Sequence, residues 1–135
     1  MSRFLTFILI VISTISVHAQ NASLTNAILY YNDGNLVKAK EEIDKAAVNE
    51  KTISIPKTWF YKGVIYKDVY EISAAEGQTE NVSALNKSTE AFQKVFTFEK
   101  VSSEFTEKST NELDEIWRIF INRRVKFYPT EKYIY

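Results

Sequence analysis

The stretch YYNDGNLVKAKEEIDKA, Tyr30–Ala46, decides the fold because it places a turn between two amphipathic runs. Asp33 and Gly34 form a turn pair, and a glycine can adopt the positive φ with which many helices end. Asn35 follows directly and is one of the residue types that cap the start of a helix. The sequence therefore predicts a helical hairpin that reverses at Gly34.

Apolar residues recur at three- and four-residue steps on both sides of this turn, which is the period of an amphipathic helix. They are Leu24, Ala27, Ile28 and Tyr31 before the turn, and Leu36, Ala39, Ile43 and Ala46 after it. The charged residues of the second run, among them Glu41, Glu42 and Asp44, are expected to face water. Lysines four residues away from such acids contribute only about 0.2–0.5 kcal/mol per pair on a solvated helix.

A third helix is predicted to begin at Pro56, because proline suits the first helical turn. It runs through KTWFYKGVIYKDVYEIS, with Trp59, Gly63 and Tyr66 in helical register. The periodicity is lost over residues 74–84, AAEGQTENVSA, and we predict a loop there.

Two further amphipathic stretches follow this loop, and both have helical spacing. The first, LNKSTEAFQKVFTFEK, carries Ser88, Phe92 and Val95 on one face. The second extends roughly over Ser102–Phe127, and Trp117 in it is either a core residue or an exposed contact. Its apolar stripe comprises Phe105, Leu113, Ile116 and Phe120. No run alternates as a β-strand does, so the predicted fold class is all-α, built of antiparallel helical hairpins.

The first twenty residues, MSRFLTFILIVISTISVHAQ, have the layout of a secretory signal peptide. Arg3 gives the positive start, Phe4–Val17 the apolar core, and Ala19 ends a cleavage pattern of small residues. A membrane anchor is the alternative, but a span needs about 20 apolar residues and this run has 14. We predict cleavage of residues 1–19, which leaves one exported domain over 20–135, in the periplasm or secreted, without a membrane span.

The composition of the sequence limits both the kinds of partner to expect and the interactions that can stabilise the fold. Loss of Arg3 reduces the 17 basic residues to 16 against 17 acidic ones, a net charge of −1. This balance gives no reason to expect nucleic acid or an anionic membrane as a partner. The sequence contains no cysteine, so the domain cannot rely on disulfides and must be held by packing.

The catalytic chemistry available to the chain is narrow. His18 is the only histidine and would leave with the signal peptide. Without histidine or cysteine, the chain has no Ser-His or Cys-His nucleophilic pair and no imidazole or thiolate metal site. The acids Glu112, Asp114 and Glu115 are expected on a solvated face, whereas a general acid needs partial burial. We predict a protein that is not an enzyme and that takes no cofactor or metal.

The third helix also carries a motif. Trp59-x2-Lys62-Gly63-x2-Tyr66 resembles the first-helix signature of the tetratricopeptide repeat family, with Lys62 in place of the family's leucine. The second-helix signature of small and apolar residues is matched twice. The matching residues are Ala39, Ile43 and Ala46, and then Ser88, Phe92 and Val95.

The same register extends to the first helix of the hairpin. Tyr30 matches the family's first-helix tyrosine, Ala27 its small residue and Gly34 its turn glycine. The resemblance implies that Tyr30 packs between helices and that the alanines allow neighbouring helices to approach closely.

The resemblance also divides the chain into units. Residues 20–53 form repeat 1, residues 56–101 form repeat 2 with the inserted loop 74–84, and residues 102–135 form a C-terminal helix with a partial repeat 3. The pattern is similar to the N-terminal part of exported bacterial proteins of this family. Two interpretations stay open: the chain is a fragment of a longer solenoid, or its last long helix caps the stack.

The family resemblance implies a non-enzymatic module that binds a protein or peptide segment in the groove lined by the first helices. The implied groove residues are Leu24, Ile28, Tyr31, Asn32, Phe60, Val64, Lys67 and Asp68, with Ile121, Val125 and Tyr128 as candidates in the partial repeat. Tyr31 and Phe60 would anchor the segment, while Asn32, Lys67 and Asp68 would fix its polar groups.

The sequence leaves two other functions open. The first is a secreted helical bundle with a structural or self-associating role, in which the C-terminal helix around Phe120 pairs with a second copy. The second is an enzyme that uses carboxylates, and it would require an acid buried beside a pocket.

Overall fold

A computed structural model describes residues 22–76, 81–99 and 103–127 of the chain, with side chains described as far as residue 122. This part of the protein forms five α-helices and contains no strand, which confirms the all-α prediction. The helices are α1 (22–32), α2 (Leu36–Val48), α3 (Pro56–Ala75), α4 (Val82–Phe98) and α5 (Glu104–Phe127). Residues 1–21, which include the predicted signal peptide, lie outside the described residues.

The turn between α1 and α2 has the conformation that its sequence predicts. Gly34 has a φ of 73°, which a residue with a Cβ adopts only at a cost. Its amide donates to the Tyr31 carbonyl at 3.0 Å, and the Asn35 amide donates to the Tyr30 carbonyl at 2.8 Å. The Asn35 side chain then accepts a hydrogen bond from the Lys38 amide at 3.2 Å, which caps α2.

The connection from α2 to α3 is fixed by two side chains that bond to the backbone. The buried hydroxyl of Thr52 donates to the Ala46 carbonyl at 2.5 Å, and the indole Nε1 of Trp59 donates to the Ile53 carbonyl at 2.6 Å. Pro56 is the first residue of α3, as predicted. The Ala46 carbonyl also accepts from the Asn49 amide at 3.4 Å, so side-chain and backbone bonds together fix the end of α2 and the connection that follows it.

Close packing of α3 on α4 depends on Gly63. A Cβ at this position would lie 2.5 Å from Cε1 of Phe92, so no larger residue fits without displacing that buried ring. The hydroxyl of Ser88 donates to the Gly63 carbonyl at 2.7 Å in the same contact. These residues hold the two helices together, with Phe92 fully buried.

The predicted loop 74–84 is shorter than expected at both described ends. Helix α3 continues through Ala75, because the two alanines at its end favour helix. Helix α4 begins at Val82, since Asn81 caps it by accepting from the Ala84 amide at 3.0 Å. Residues 77–80 lie outside the described residues.

The core lies along α3, and buried residues of the other helices pack against two different sides of it. On one side, Ile65 packs with the buried residues Ala27, Ala39, Ile43 and Ala46 of α1 and α2. On the other side, Tyr66 and Phe92 pack with Ile116 of α5. Of the remaining residues singled out in the repeat pattern, Trp59, Gly63, Ser88 and Val95 are buried, Tyr30 is half-buried, and Gly34 is exposed at its turn.

Candidate functional site

Helices α1, α3 and α5 present a continuous set of side chains, which we call the α1/α3/α5 face. It consists of Tyr31, Phe60, Tyr61, Lys67, Asp68, Glu71, Phe105, Glu112 and Glu115. Side-chain contacts join all three helices: Tyr31 reaches Asp68 of α3, and Lys67 of α3 reaches Glu112 of α5. Four of the groove residues expected from the sequence lie on this face, namely Tyr31, Phe60, Lys67 and Asp68.

One end of the face is a row of four aromatic rings. The rings of Tyr31 and Tyr61 are 6.4 Å apart and edge-to-face, and those of Tyr61 and Phe60 are 5.6 Å apart. Phe60 then lies 5.5 Å from Phe105 of α5. All four rings are partly exposed, so they offer apolar contact area as well as cohesion between helices. Lys57 lies 5.8 Å from the centre of the Tyr61 ring.

The other end of the face is a charged network around Lys67. Its Nζ donates to Glu115 at 2.8 Å and also to Glu112, and only 11% of the Lys67 side chain is exposed. Burial alone would lower the pKa of Lys67, but its hydrogen bonds to the two carboxylates and their charges raise the pKa above the ordinary lysine value. The lysine therefore stays charged and ties α5 to α3.

Tyr31 and Asp68 connect α1 to the same network. The Tyr31 hydroxyl donates to Oδ2 of Asp68 at 2.9 Å. Burial raises the pKa of Tyr31, and the hydrogen bond to the Asp68 carboxylate raises it further. The phenol therefore remains a neutral donor at every physiological pH.

Glu71 is the carboxylate of this face that the network does not neutralise. Burial raises its pKa, and the nearby charges of Asp68, Glu115 and Glu112 add to that rise against the opposing charge of Lys67. Glu71 forms no salt bridge with any other described residue. With four acids around the single Lys67, this end of the face carries an excess of negative charge.

The remaining groove candidates have different positions. Val64 packs against the core cluster that includes Ile116 of α5, and Leu24 packs against the cluster around Ala27. Ile28 is half-buried and Asn32 is exposed, and neither of them is part of the charged network. Ile121 is exposed on α5, while the side chains of Val125 and Tyr128 lie outside the described residues.

Lys67 differs from its expected role as a group that receives a ligand. Both of its carboxylate partners come from a segment that the sequence pattern assigned to a solvated face, so Glu112 and Glu115 were missed. The available signal was the register of α3, which places Lys67 next to Val64 and Phe60 and leaves its ammonium in need of a buried partner. Tyr61, Glu71 and Phe105 were also missed as members of the face.

Asp44 was expected to face water, yet it joins α2 to α3. It accepts from the Tyr66 hydroxyl at 2.7 Å and forms a salt bridge with Lys62 at 2.9 Å. Burial would raise the pKa of Asp44, but the hydrogen bonds from Tyr66 and Lys62 and the charges of Lys62 and Lys40 hold it below the ordinary value. Trp117, left open by the sequence, is an exposed residue with 64% of its surface accessible.

Two other kinds of feature, a membrane-spanning helix and a metal-binding cluster, are not found within the described ranges. None of the helices there has the length and apolar character needed to cross a bilayer. Nor do any three acidic residues within these ranges converge in a geometry that could hold a metal ion.

Comparison with known proteins gave no match to a family model, to a curated protein or to a solved structure. The resemblance to the tetratricopeptide repeat family therefore rests on the residues and spacings described above.

Proposed function

We propose that this protein is a non-enzymatic interaction module of the tetratricopeptide-repeat type, which binds a peptide or partner segment on its α1/α3/α5 face. The observation that carries the proposal is the composition of this face. Three helices share a row of partly exposed rings, and beside it lies a charged network with more acids than bases. Such a surface combines an apolar anchor site with directional polar groups, as peptide-binding surfaces do.

The packing of the helices supports the repeat organisation. Helix α2 packs on α3, α3 on α4, and α4 on α5, with α3 also touching α5. Contacts between successive elements are the organising feature of helical-repeat proteins. The small residues of the motif lie at close helix contacts, as Gly63 does against Phe92. Repeats over 20–53 and 56–101, with a partial repeat over 102–135, are the proposed units.

The charge of the face favours a cationic segment. Lys67 is engaged by Glu112 and Glu115 and is not available to a ligand. Asp68 keeps one carboxylate oxygen beyond its bond to Tyr31, and Glu71 has no ion-pair partner among the described residues. A lysine or arginine of the partner would meet these two acids, and an apolar neighbour in the partner would pack on Tyr61 and Phe60.

The proposal includes the cellular location. A segment with the layout of a signal peptide precedes the helical domain, and the domain has no cysteine that would need protection or pairing during export. We therefore place the module in the periplasm or among secreted proteins, where its partner would be another exported protein.

The test is a calorimetric titration with a short capped peptide that alternates lysine with leucine, and with the same peptide carrying glutamate in place of lysine. The double variant D68N/E71Q should bind the lysine peptide about tenfold more weakly than the wild type. The variant E41Q/E50Q is the matched control, because it removes the same charge from exposed positions outside the face, and its affinity should stay within about twofold. Equal binding of both peptides, or equal loss in both variants, would contradict the proposal.

A second candidate function, self-association through the C-terminal helix, is favoured by two exposed residues. Trp117 and Ile121 lie one helical turn apart on α5, and their exposed fractions are 64% and 45%. Large apolar side chains of this kind mark many interaction surfaces. Light scattering across a concentration series should then give a dimer for the wild type and a monomer for W117S/I121S. A monomer for the wild type at every concentration would reject this candidate.

A further inference from the structure

The side of α3 that faces away from the α1/α3/α5 face forms the floor of a cleft between α2 and α4. This outer cleft has a volume of about 470 Å³, which is within the range of roughly 300–1,000 Å³ typical of ligand pockets. Its floor is formed by Trp59, Lys62 and Tyr66 of α3, and its α4 wall carries Lys87 and Lys94. The lining also includes Asp44 and Glu90, so three lysines and two acids surround rings of which only 6% (Trp59) and 3% (Tyr66) is exposed.

Each lysine of the α4 wall lies over one ring of the floor, while Lys62 lies over both rings and Lys40 of α2 lies over that of Tyr66. The Nζ of Lys94 lies 4.0 Å from the centre of the Trp59 ring, and the Nζ of Lys87 lies 5.4 Å from the centre of the Tyr66 ring. Lys87 and Lys94 are seven positions apart on α4, and Trp59 and Tyr66 are seven positions apart on α3. The cleft consequently repeats one arrangement, an ammonium group over a ring, at two points separated by about 10 Å along the helix axes.

The lysines of the cleft have fewer acidic partners than Lys67, which bonds to two carboxylates. Lys62 forms a salt bridge with Asp44 at 2.9 Å. Among the described residues, neither Lys87 nor Lys94 forms a salt bridge, although Glu90 lies between them on α4. Both lysines are exposed, so an anionic ligand can reach them.

The separation of Lys87 and Lys94 determines which kind of anion can contact both lysines. The backbone positions of Lys87 and Lys94 are about 10 Å apart along α4, a separation that a single phosphate is too small to span. In a polyproline II segment, residues three apart lie on the same side of the chain and are separated by about 9 Å. The rings of Trp59 and Tyr66 are buried under the lysines, so the residues between the two carboxylates would cross the cleft above them.

We propose that the outer cleft binds an extended acidic segment of a partner protein, in which two carboxylates three residues apart meet Lys87 and Lys94. The segment adopts the polyproline II conformation, and its carboxylates draw the two ammonium groups away from their places over the buried rings of Trp59 and Tyr66. This site lies on the opposite side of α3 from the α1/α3/α5 face and takes a ligand of opposite charge. The proposal therefore goes beyond the function proposed above and does not depend on it.

The test uses the fluorescence of Trp59 as its reporter. The substitution W117F removes the exposed second tryptophan, which lies on α5 outside the cleft, and leaves Trp59 as the single tryptophan of the chain. The probe is a capped peptide with the central sequence Glu-Pro-Pro-Glu. We expect a saturable change in Trp59 emission that weakens as salt is added.

Two double variants in the W117F background identify the binding residues. K87Q/K94Q should weaken binding of the Glu-Pro-Pro-Glu peptide by about tenfold. K38Q/K57Q is the matched control, because Lys38 and Lys57 are also exposed lysines that lie over tyrosine rings, at 5.3 Å and 5.8 Å, but outside the cleft. The control should bind within about twofold of its parent.

Two further ligands distinguish binding of an acidic peptide from binding of small anions. A Gln-Pro-Pro-Gln peptide should give no saturable change, and pyrophosphate should bind at least about tenfold more weakly than the Glu-Pro-Pro-Glu peptide. Pyrophosphate binding of equal strength would show a site for small anions and overturn the proposal. Absence of a saturable change with the acidic peptide, or equal affinity in the two double variants, would overturn it as well.

Discussion

The two sides of α3 use lysine in different ways. On the α1/α3/α5 face, Lys67 is largely buried and bonds to two carboxylates of α5. In the outer cleft, Lys87 and Lys94 are exposed and lie over rings, with no salt bridge to a described residue. The comparison teaches that a charge engaged by several partners holds helices together, whereas a charge left over marks a surface that can bind a ligand. Glu71 is the corresponding unpaired charge on the α1/α3/α5 face.

The largest expected effect on stability comes from the contact between α3 and α4, because the surfaces on both sides of α3 depend on it. Phe92 is fully buried against Gly63 and within 5.9 Å of the Phe60 ring. The substitution F92A should lower the free energy of unfolding by about 3–5 kcal/mol, measured by urea denaturation, because it leaves a cavity between α3 and α4.

The matched control for this substitution is F96A. Phe96 lies one turn further along α4, and 40% of its surface is exposed, so its loss should cost only about 1–2 kcal/mol. Equal losses in the two variants would mean that α3 and α4 do not pack through Phe92.

The next effect separates the two kinds of lysine directly. The substitution K67Q leaves the carboxylates of Glu112 and Glu115 facing each other without a cation, and it should cost about 1–3 kcal/mol. We expect the lower part of that range because Glu115 is 62% exposed and therefore screened by water.

The corresponding change in the outer cleft is K94Q, which removes a lysine without a salt bridge. It should lower the free energy of unfolding by no more than about 0.5–1 kcal/mol, the contribution expected of an ammonium group over the Trp59 ring. If K94Q costs as much as K67Q, the two sides do not differ in the way described here.

A smaller effect concerns the dependence of stability on pH. The pKa of Asp44 is lowered in the folded protein, so its stabilising contribution is present at neutral pH and is lost as the pH falls through the ordinary aspartate value to the folded one. The pKa of Glu71 is raised, so its ionisation opposes folding and its contribution has the opposite sign.

Two substitutions test these signs by thermal melting at several pH values. D44N should lower stability at neutral pH and should make the melting temperature less sensitive to acid. E71Q should raise stability slightly at neutral pH, because it removes a carboxylate from a site that disfavours charge. A gain in stability for D44N, or a loss for E71Q, would contradict the assigned pKa shifts.

Local signals in the sequence were sufficient for the turns and several helix ends. Gly34 and Asn35 determine the reversal between α1 and α2 through their own backbone preferences, and Pro56 starts α3 for the same reason. The start of α4 at Val82, capped by Asn81, was missed, although asparagine is a common cap, because the segment before it has no helical period. The fold class was predictable since each helix carries its own apolar stripe.

The two surfaces proposed to bind ligands were less predictable because they depend on contacts between distant residues. Lys67 and Glu112 are far apart in sequence, and only the relative rotation of α3 and α5 brings them together. The same holds for Asp44 with Lys62 and Tyr66. A helical period identifies the buried stripe of each helix, but it does not say which charged residue at the edge of that stripe finds a partner.

The most direct test of the central claim, that the α1/α3/α5 face binds a cationic segment, is an NMR titration of the ¹⁵N-labelled protein with the lysine–leucine peptide. The account predicts that amide resonances of Asn32, Asp68 and Glu71 shift in a saturable way, while those of Lys87 and Lys94 stay in place. Shifts centred on α4 around Lys87 and Lys94, or no saturable shift at Asp68 and Glu71, would contradict it.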